Sequence, residues 1–396
     1  MLLCYSTASG QFALAALSFF IIPLGLEFGW SRGDILFSTA LLTMSQALVT
    51  PIVGRIIDRF GSKEVLMPSI LLFGLLLAAI PLFISEIWHI YIIYLMMGSL
   101  ACGSTAIPYL RIVGSWFNKN RGLAFGIAMS GGGLGFAYMP PLLQYMIDNH
   151  GWRSGFYVLA AIIIFIAFPL IAIVVRNTPS QMGLLPDGEV QKADDKIIPQ
   201  EKAPKITLSE LLQEKLIWHL YAIFVLLTFC LYGLMANFAP LLIDRGMETG
   251  SAALVVSTLG ITVICSRVGI GYLLDKFFAP KVAMVCVIFS AIGIALLAAG
   301  AIGMAAFVAA LFIGVSIGAE FDLLAYLTSR YFGMKSFGLI YGILFTGFLL
   351  GVSAGPFVFG AVFDHFGSYF IILTISSLLL IVIAGLMALL PKYKNI

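Results

Sequence analysis

The sequence predicts an all-α membrane protein with twelve transmembrane helices in two pseudo-symmetric six-helix bundles. Three observations lead to this fold class: a very apolar composition, long apolar runs that recur from end to end, and a set of motifs that occurs twice. Hydrophobic residues make up 61% of the 396 residues, charged residues only 10%, and the mean hydropathy is +1.06. A chain of this length cannot bury so much apolar surface inside a water-soluble fold, so we expect a lipid bilayer to surround it.

The apolar runs have the length of membrane-spanning helices, because crossing ~30 Å of hydrocarbon takes about 20 apolar residues in a helix. They are continuously apolar, whereas the strands of a membrane barrel alternate residue by residue, so the runs predict helices. No basic residue precedes the first run, and we expect it to be a helix rather than a removed signal peptide. The predicted helices cover residues 8–28, 35–57, 67–84, 89–115, 122–147, 153–175, 217–243, 250–275, 281–300, 303–330, 336–363 and 367–390.

The basic residues orient these helices in the membrane. Arg32, Arg153 and Arg245 fall in one set of loops, and every other Lys or Arg outside the predicted helices falls in the alternate set. The positive-inside rule then predicts a multi-pass protein of the cytoplasmic (inner) membrane with both termini in the cytoplasm. The net charge of +3 follows from this topology, and it does not indicate a nucleic-acid partner.

The chain contains an internal repeat. Residues 176–216 form the only long polar stretch and predict a cytoplasmic linker between residues 1–175 and 217–396. A duplicated six-helix bundle is typical of a transporter whose substrate site lies at mid-membrane between the two halves. Six residues of the first half are identical to residues of the second half at one constant spacing along the chain. They are Gly126, Gly131, Gly135, Pro140, Asp148 and Gly151, which match Gly342, Gly347, Gly351, Pro356, Asp364 and Gly367 in that order.

Two similar charged clusters lie in short cytoplasmic loops, at the same place in each half. A small residue lets neighbouring helices approach, and an aspartate one turn later can cap or pair across to the adjoining helix. We expect such clusters to act as a latch that closes the cytoplasmic side in one state. The alternative for Arg59 and Lys276 is that they only anchor the topology. The clusters are Gly54, Arg55, Asp58 and Arg59, and Gly271, Asp275 and Lys276.

GRIIDRFGSK, which contains the first cluster, resembles the loop motif of the major facilitator superfamily, and other stretches resemble its monocarboxylate-transporter-like branch. The resemblance covers nearly the whole chain and implies the major facilitator fold. It also implies that Arg267, followed by Gly271, contacts a substrate carboxylate. The chain departs from the animal members of that branch one turn earlier, where they have an aspartate and this chain has Val263. The stretches are EFGWSR, WFNKNRGLAFGIAMSGGGLG, GWR, PSQMGLLPDG, SRVGIGYLLDKFFAP and EFDLLAYLTSRYFG.

Four ionisable residues lie well inside predicted helices, away from the helix ends: Arg111, Arg267, Glu320 and Asp322. Each is costly at mid-bilayer unless it faces a wet cavity or a partner, so these residues predict a functional site. The planar guanidinium of Arg267 matches the geometry of a carboxylate. Two alternatives stay open: Arg267 could pair permanently with an acid such as Glu320, and Arg111 could extend to the nearby membrane surface.

Glu320 and Asp322 are expected to differ in role, because two residues along a helix correspond to a rotation of roughly 200°. Aligning the halves places Tyr326 opposite Arg111, and Asp322 lies one turn from Tyr326. Asp322 is therefore predicted to face the pathway and Glu320 to make a structural pair, although the reverse assignment stays open. The acid that faces the pathway could carry a coupled proton, since partial desolvation favours the neutral carboxyl.

These observations predict a secondary active transporter rather than an enzyme. We expect a small organic anion, a monocarboxylate or related organic acid, to be bound by Arg267 and Arg111. Tyr326 is a further candidate for substrate binding. Asn237 and Gln46 are weaker candidates, with helix packing as the alternative. Transport would be coupled to a proton or to a counter-anion, and each chain would function as a monomer. The alternative cargo is larger, such as a drug or a siderophore.

Other functional classes find no support in the sequence. The GGGLG run lies inside a predicted helix and lacks the strand and the Lys-Ser/Thr pair of a phosphate loop. The histidines are far apart, and no nucleophile with a neighbouring base is visible, so we predict no cofactor, no metal site and no catalytic residues. The five cysteines show no metal-ligand spacing and are predicted to be packing residues: Cys4, Cys102, Cys230, Cys265 and Cys286.

Overall fold

The computed structural model describes residues 11–30, 32–188 and 208–393. Within these residues it contains helices and no β-strand, which confirms the predicted all-α class. Cys4 and residues 189–207 of the predicted linker lie outside the described residues. The helices of the first half are α1 (Gln11–Phe28), α2 (Arg32–Phe60), α3 (Ser62–Phe83), α4 (Ile87–Leu100), α5 (Ala106–Trp116), α6 (Arg121–His150), α7 (Trp152–Ala161) and α8 (Phe168–Val174).

Each of the twelve predicted segments contains helix in the structure. Nine helical segments in the described part of the chain are long and apolar enough to cross a membrane, with Trp152–Val174, which contains α7 and α8, counted as one. The apolar parts of α1 and α4 are shorter. The helices of the second half are α9 (Leu208–Gln213), α10 (Lys215–Asp244), α11 (Thr249–Lys276), α12 (Ala279–Ala298), α13 (Met304–Phe332), α14 (Phe337–Phe366) and α15 (Phe370–Ala388).

Two predicted helices are not continuous. The segment predicted over 89–115 is divided into α4 and α5 by a 3₁₀ turn at Cys102–Ser104. At Gly103 the backbone lies so close to α3 that a Cβ would overlap the Oγ of Ser69, and this close packing accompanies the break. A π-helix at Ile162–Ala167 joins α7 to α8 within the segment predicted over 153–175.

The chain forms two compact units. The first holds the described residues of Met1–Asn118 and Ala128–Pro204, together with Met334–Gly342 at the start of α14. The second holds Lys119–Ile127 at the start of α6, with the described residues of Lys205–Gly333 and Ile343–Ile396. Each unit therefore includes one helix N-terminus from the other half of the sequence. The domain boundaries given above stay a prediction.

Helix α13 is the central helix of the second unit. Its residues from Ser316 to Ser329 are all buried, and it packs against both α11 and α12. The contact with α11 is very close, because a Cβ on Gly318 would overlap the Oγ of Ser266 and would lie 2.6 Å from the carbonyl oxygen of Val263. This approach places the next residue of α11, Arg267, beside the middle of α13.

Candidate functional site

The second unit contains a buried group of three ionisable side chains. Glu320 and Asp322 on α13 have no exposed surface, each being 0% accessible. Arg267 on α11 is partly buried, and its positive charge acts on both carboxyl groups. Burying charged groups in a low-dielectric interior is unfavourable unless they are paired and hydrogen-bonded, so the partners of each member matter.

Glu320 has one strong hydrogen-bond partner. The hydroxyl of Tyr232, in the middle of α10, donates to Oε1 of Glu320 over 2.6 Å. The other carboxyl oxygen, Oε2, accepts no hydrogen bond within the described ranges. Tyr232 was not among the site residues predicted from sequence. The sequence feature that could have identified Tyr232 is its hydroxyl in the middle of an apolar helix, because a polar group without a partner is unfavourable there.

Asp322 differs from Glu320 in its surroundings. Neither Oδ1 nor Oδ2 of Asp322 has a hydrogen-bond partner in the part of the chain that the structure describes. The two acids therefore differ in hydrogen bonding, and their roles stay a prediction. Both acids are enclosed to the same extent.

The Arg267 guanidinium lies against an aromatic group. Its Cζ is 5.3 Å from the ring centroid of Phe321, a cation–π distance. Phe321 packs on Phe348 at 4.6 Å between ring centroids, and Phe348 contacts Tyr232 at 5.9 Å. Among the described residues Arg267 makes no ion pair within 4.0 Å, so the permanent pair with Glu320 that the sequence left open is not formed at that distance.

The first charged cluster lies in the first unit. The Asp58 carboxylate accepts hydrogen bonds from the backbone N–H groups of Gly338 and Leu339, at 3.0 and 2.8 Å, at the start of α14. A negative charge at a helix N-terminus satisfies free N–H groups and is stabilised by the helix dipole. Gly54 makes the approach possible, because a Cβ there would overlap the carbonyl oxygen of Gly338.

Arg111 belongs to this cluster. Its Nε lies 3.1 Å from Oδ1 of Asp58, so the two side chains form an ion pair, although the N–H is not aligned for a hydrogen bond. Its Nη1 donates a hydrogen bond to the carbonyl oxygen of Ile57 over 3.0 Å. The structure thus places Arg111, a predicted substrate ligand, with a predicted gating residue. Its role as a substrate ligand stays a prediction and would require Asp58 to release it.

The second cluster repeats this arrangement in the second unit. Asp275 accepts hydrogen bonds from the N–H groups of Gly122 and Leu123, at 2.8 and 2.9 Å, at the start of α6. A Cβ on Gly271 would lie 2.5 Å from the carbonyl oxygen of Gly122. The positive charges of Arg330 and Arg121 act on Asp275, as that of Arg111 acts on Asp58. Both Gly-x-x-x-Asp motifs therefore cap the N-terminus of a packed helix.

The remaining predicted site residues make contacts of other kinds. Tyr326 is buried in the second cluster, where its hydroxyl accepts a hydrogen bond from Nη2 of Arg330 over 3.1 Å. Asn237 donates to the carbonyl of Gly233 over 2.9 Å, and its Oδ1 accepts from the hydroxyl of Tyr369 over 3.3 Å, which are helix-packing contacts. Gln46 on α2 is partly buried.

The basic members of the two clusters lie on the surface. Arg55, Arg59 and Lys276 are exposed. The guanidinium of Arg59 stacks on the ring of Phe60 at 5.2 Å, and the ammonium of Lys276 lies 4.3 Å from the ring of Tyr272. These contacts are with neighbours on the same helix, as is usual for surface cations that cover apolar side chains.

Comparison with known proteins gives relatives that are transporters. The chain is 27% identical over 310 residues to monocarboxylate transporter 11 of Mus musculus, covering 74% of this chain and 64% of that protein. It is 26% identical over 355 residues to the MFS-type transporter YhjX of Escherichia coli strain K12, covering 86% and 83% of the two chains. The chain thus spans a little less than two thirds of the length of the monocarboxylate transporter.

Solved transporter structures share the fold. The E. coli fucose:proton symporter FucP matches with a TM-score of 0.68 and 15% identity, covering 98% of this chain and 97% of that chain. The proton:xylose symporter XylE matches with a TM-score of 0.72 and 16% identity, covering 98% and 93%. This likeness confirms the predicted fold class. A family model described as Major Facilitator Superfamily matches residues 1–356, so the chain belongs to the major facilitator superfamily of membrane transporters.

Proposed function

We propose that this transporter moves a small organic anion, a monocarboxylate or related organic acid, with Arg267 as the partner of the carboxylate. The observation that carries the proposal is the state of Arg267: it is a cation inside the second unit without an ion pair within 4.0 Å among the described residues. A charge in this position is costly unless something negative reaches it. A guanidinium can bind a carboxylate through two parallel hydrogen bonds.

The named relatives support the same class of substrate. Monocarboxylate transporter 11 of the mouse and monocarboxylate transporter 12 of human are both similar to this chain, at 27% and 26% identity. At these identities, and with coverage of 64% and 44% of the two proteins, the names support an organic acid rather than a particular acid.

The cycle that we propose is alternating access. A bound carboxylate neutralises Arg267, so that less net charge is carried through the low-dielectric region during reorientation. Coupling is to a proton, carried by the carboxyls of α13, or to exchange with a counter-anion. The caps made by Asp58 and Asp275 serve as the cytoplasmic latch. The protein works as a monomer in the cytoplasmic membrane, with both termini in the cytoplasm.

A larger cargo, such as a drug or a siderophore, is the second candidate. The aromatic group formed by Tyr232, Phe321, Phe345 and Phe348 favours it, because aromatic rings bind large apolar ligands. The state of Arg267 favours the organic acid, since a transporter of neutral cargo would be expected to lock that cation in an ion pair.

Uptake into proteoliposomes tests the proposal. Purified protein is reconstituted and supplied with radiolabelled lactate, pyruvate and short-chain monocarboxylates at several pH values, with lactamide and a sugar as uncharged controls of similar size. We expect saturable uptake of at least one acid and none of its amide. Equal uptake of acid and amide, or transport of only bulky uncharged compounds, would contradict the proposal.

A further inference from the structure

Glu320, Asp322 and Arg267 carry charges that do not cancel when both carboxyls are ionised. We propose that Glu320, held by Tyr232, is the carboxyl that exchanges a proton during transport, and that Asp322 stays protonated throughout the cycle. The part of this assignment that concerns transport rests on the proposed function, whereas the protonation states rest on the geometry of the second unit. It reverses the expectation from sequence that Asp322 faces the pathway.

The hydrogen bond to Glu320 favours the ionised form of that residue. Tyr232 donates to Oε1 over 2.6 Å, and a donor at this distance is bound more strongly by a carboxylate than by a neutral acid. Burial opposes ionisation of Glu320 as it does that of Asp322, but the positive charge of Arg267 acts in the same direction as the hydrogen bond. Since Tyr232 comes from α10 and Arg267 from α11, two neighbouring helices stabilise the charge of Glu320.

Asp322 has the opposite environment. Both of its oxygens are buried without a hydrogen-bond donor among the described residues. Arg267 attracts the ionised form of Asp322 too, but a fully desolvated carboxylate that receives no hydrogen bond is strongly disfavoured relative to its neutral acid. With Glu320 already balancing the single nearby cation, Asp322 keeps its proton.

The other helices packed around α13 bring no further charge to this pair in the described part of the chain. The side chains of α14 in this region are Phe345 and Phe348. α12 carries the thiol of Cys286, whose backbone carbonyl accepts a hydrogen bond from Ser316, one turn before Glu320. Proton exchange at the pair is therefore governed by Tyr232 and Arg267.

The coupling follows from charge balance at Arg267. In the empty site the charge of the guanidinium is balanced by ionised Glu320 from beyond 4.0 Å, so that the N–H donors of Arg267 stay open to a substrate. When a substrate carboxylate binds Arg267, Glu320 takes up one proton from water, and the substrate becomes the balancing charge. Release of the substrate lets Glu320 return that proton. One proton thus moves with each anion, and the summed charge at the site is zero in both states, which keeps the cost of reorientation low.

Infrared titration of the purified protein tests the protonation states without any substrate. The carboxylic-acid C=O stretch is present only for a protonated carboxyl. We expect acidification to add an acid band in the wild-type protein that Glu320→Gln lacks and Asp322→Asn retains. At neutral pH, Asp322→Asn should lack an acid band that Glu320→Gln retains. The reverse pattern in the two isosteric variants would overturn the assignment.

The role of Tyr232 as a positioning residue has its own readout. In Tyr232→Phe the carboxylate loses its donor, so the Glu320 band should appear with a midpoint at higher pH than in the wild type. Tyr221→Phe, which removes a tyrosine hydroxyl nearer the start of the same helix, is the matched control and should leave the midpoint unchanged. A midpoint in Tyr232→Phe equal to that of the wild type would overturn this role.

Transport measurements test the coupling. In proteoliposomes we expect Glu320→Gln to lose accumulation driven by a proton gradient while anion exchange persists, because exchange moves no net proton. If Glu320→Gln still accumulates the anion under a proton gradient, the coupling role of Glu320 is overturned. The proposed transport of an organic acid would not be contradicted by that result. Absence of acid transport in the wild type would contradict the proposed function, and the infrared bands would still decide the protonation assignment.

Discussion

Arg267 is held in a position where an anion can bind it. Its guanidinium lies 5.3 Å from the ring centroid of Phe321. Its positive charge acts on the buried carboxyls of Glu320 and Asp322, the residues before and after Phe321 in the sequence. An aromatic face attracts a cation without offering hydrogen-bond acceptors. The N–H donors of the guanidinium thus stay available for a carboxylate, while the ring limits the positions that the side chain occupies.

Phe321→Leu tests this arrangement at the scale of one side chain. Loss of the ring should remove about 0.5–2 kcal/mol of cation–π stabilisation, which corresponds to roughly a twofold to thirtyfold increase in KM for the transported acid. Phe312→Leu is the control. Phe312 lies on α13, nine residues before Phe321, and stacks on Phe289 of α12 rather than on Arg267. A KM that changes equally in both variants would contradict a specific role of Phe321.

The residues of the site were predictable from sequence to different degrees. Arg267, Glu320 and Asp322 could be found because an ionisable residue in an apolar helix is rare and costly. The bond from Tyr232 to Glu320 could not, because it depends on how α10 and α13 are rotated toward each other, and the sequence carries no periodic signal for that rotation. Hydrogen bonding, rather than position along the helix, distinguishes the two acids.

Glycine positions control how closely the helices approach. On α11, Gly271 touches the backbone of Gly122, and this contact lets Asp275 reach the N–H groups at the start of α6. The same arrangement of Gly54 and Asp58 occurs at the start of α14. The repeated Gly-x-x-x-Asp pattern was readable from sequence, since both residues lie on one face of a helix, whereas the break between α4 and α5 depends on close packing against Ser69.

Gly271→Ala and Gly269→Ala form a matched pair on one helix. The added methyl group at 271 meets the carbonyl oxygen of Gly122, so this variant should be destabilised by about 1–3 kcal/mol and should lose transport. At Gly269 nothing lies within 4 Å of an added Cβ, and alanine favours helix by up to about 1 kcal/mol. Thermal unfolding in detergent measures both. Equal midpoints for the two variants would argue against the close contact.

At the scale of the whole molecule, composition and the length of the apolar runs predicted the class of protein well. Apolar runs of the right length indicate helices regardless of their partners, so each of the twelve segments contains helix in the structure. The family match over residues 1–356 agrees with that class. The orientation of the chain in the membrane stays a prediction that depends on the uneven distribution of Lys and Arg between the loops.

Reporter fusions test this orientation. We expect a fluorescent protein fused after residue 393 to fold and an alkaline phosphatase at the same point to be inactive, because that end is predicted to be cytoplasmic. Fusions after Gly246, in a loop predicted to be outside, should show the opposite pattern. Phosphatase activity at the C-terminal fusion would contradict the predicted topology.

Substitution of Arg267 tests the central claim most directly. The measurement is the initial rate of uptake, in proteoliposomes, of the acid that the wild-type protein transports best, compared between Arg267→Lys and Arg245→Lys. Arg245 is a partly buried arginine at the end of α10 and serves as the control. We predict that Arg267→Lys, which keeps the charge but loses the planar fork, lowers kcat/KM by roughly tenfold to a hundredfold, equivalent to about 1.5–3 kcal/mol, and that Arg245→Lys does not. Unchanged kinetics in Arg267→Lys would contradict carboxylate binding by this residue.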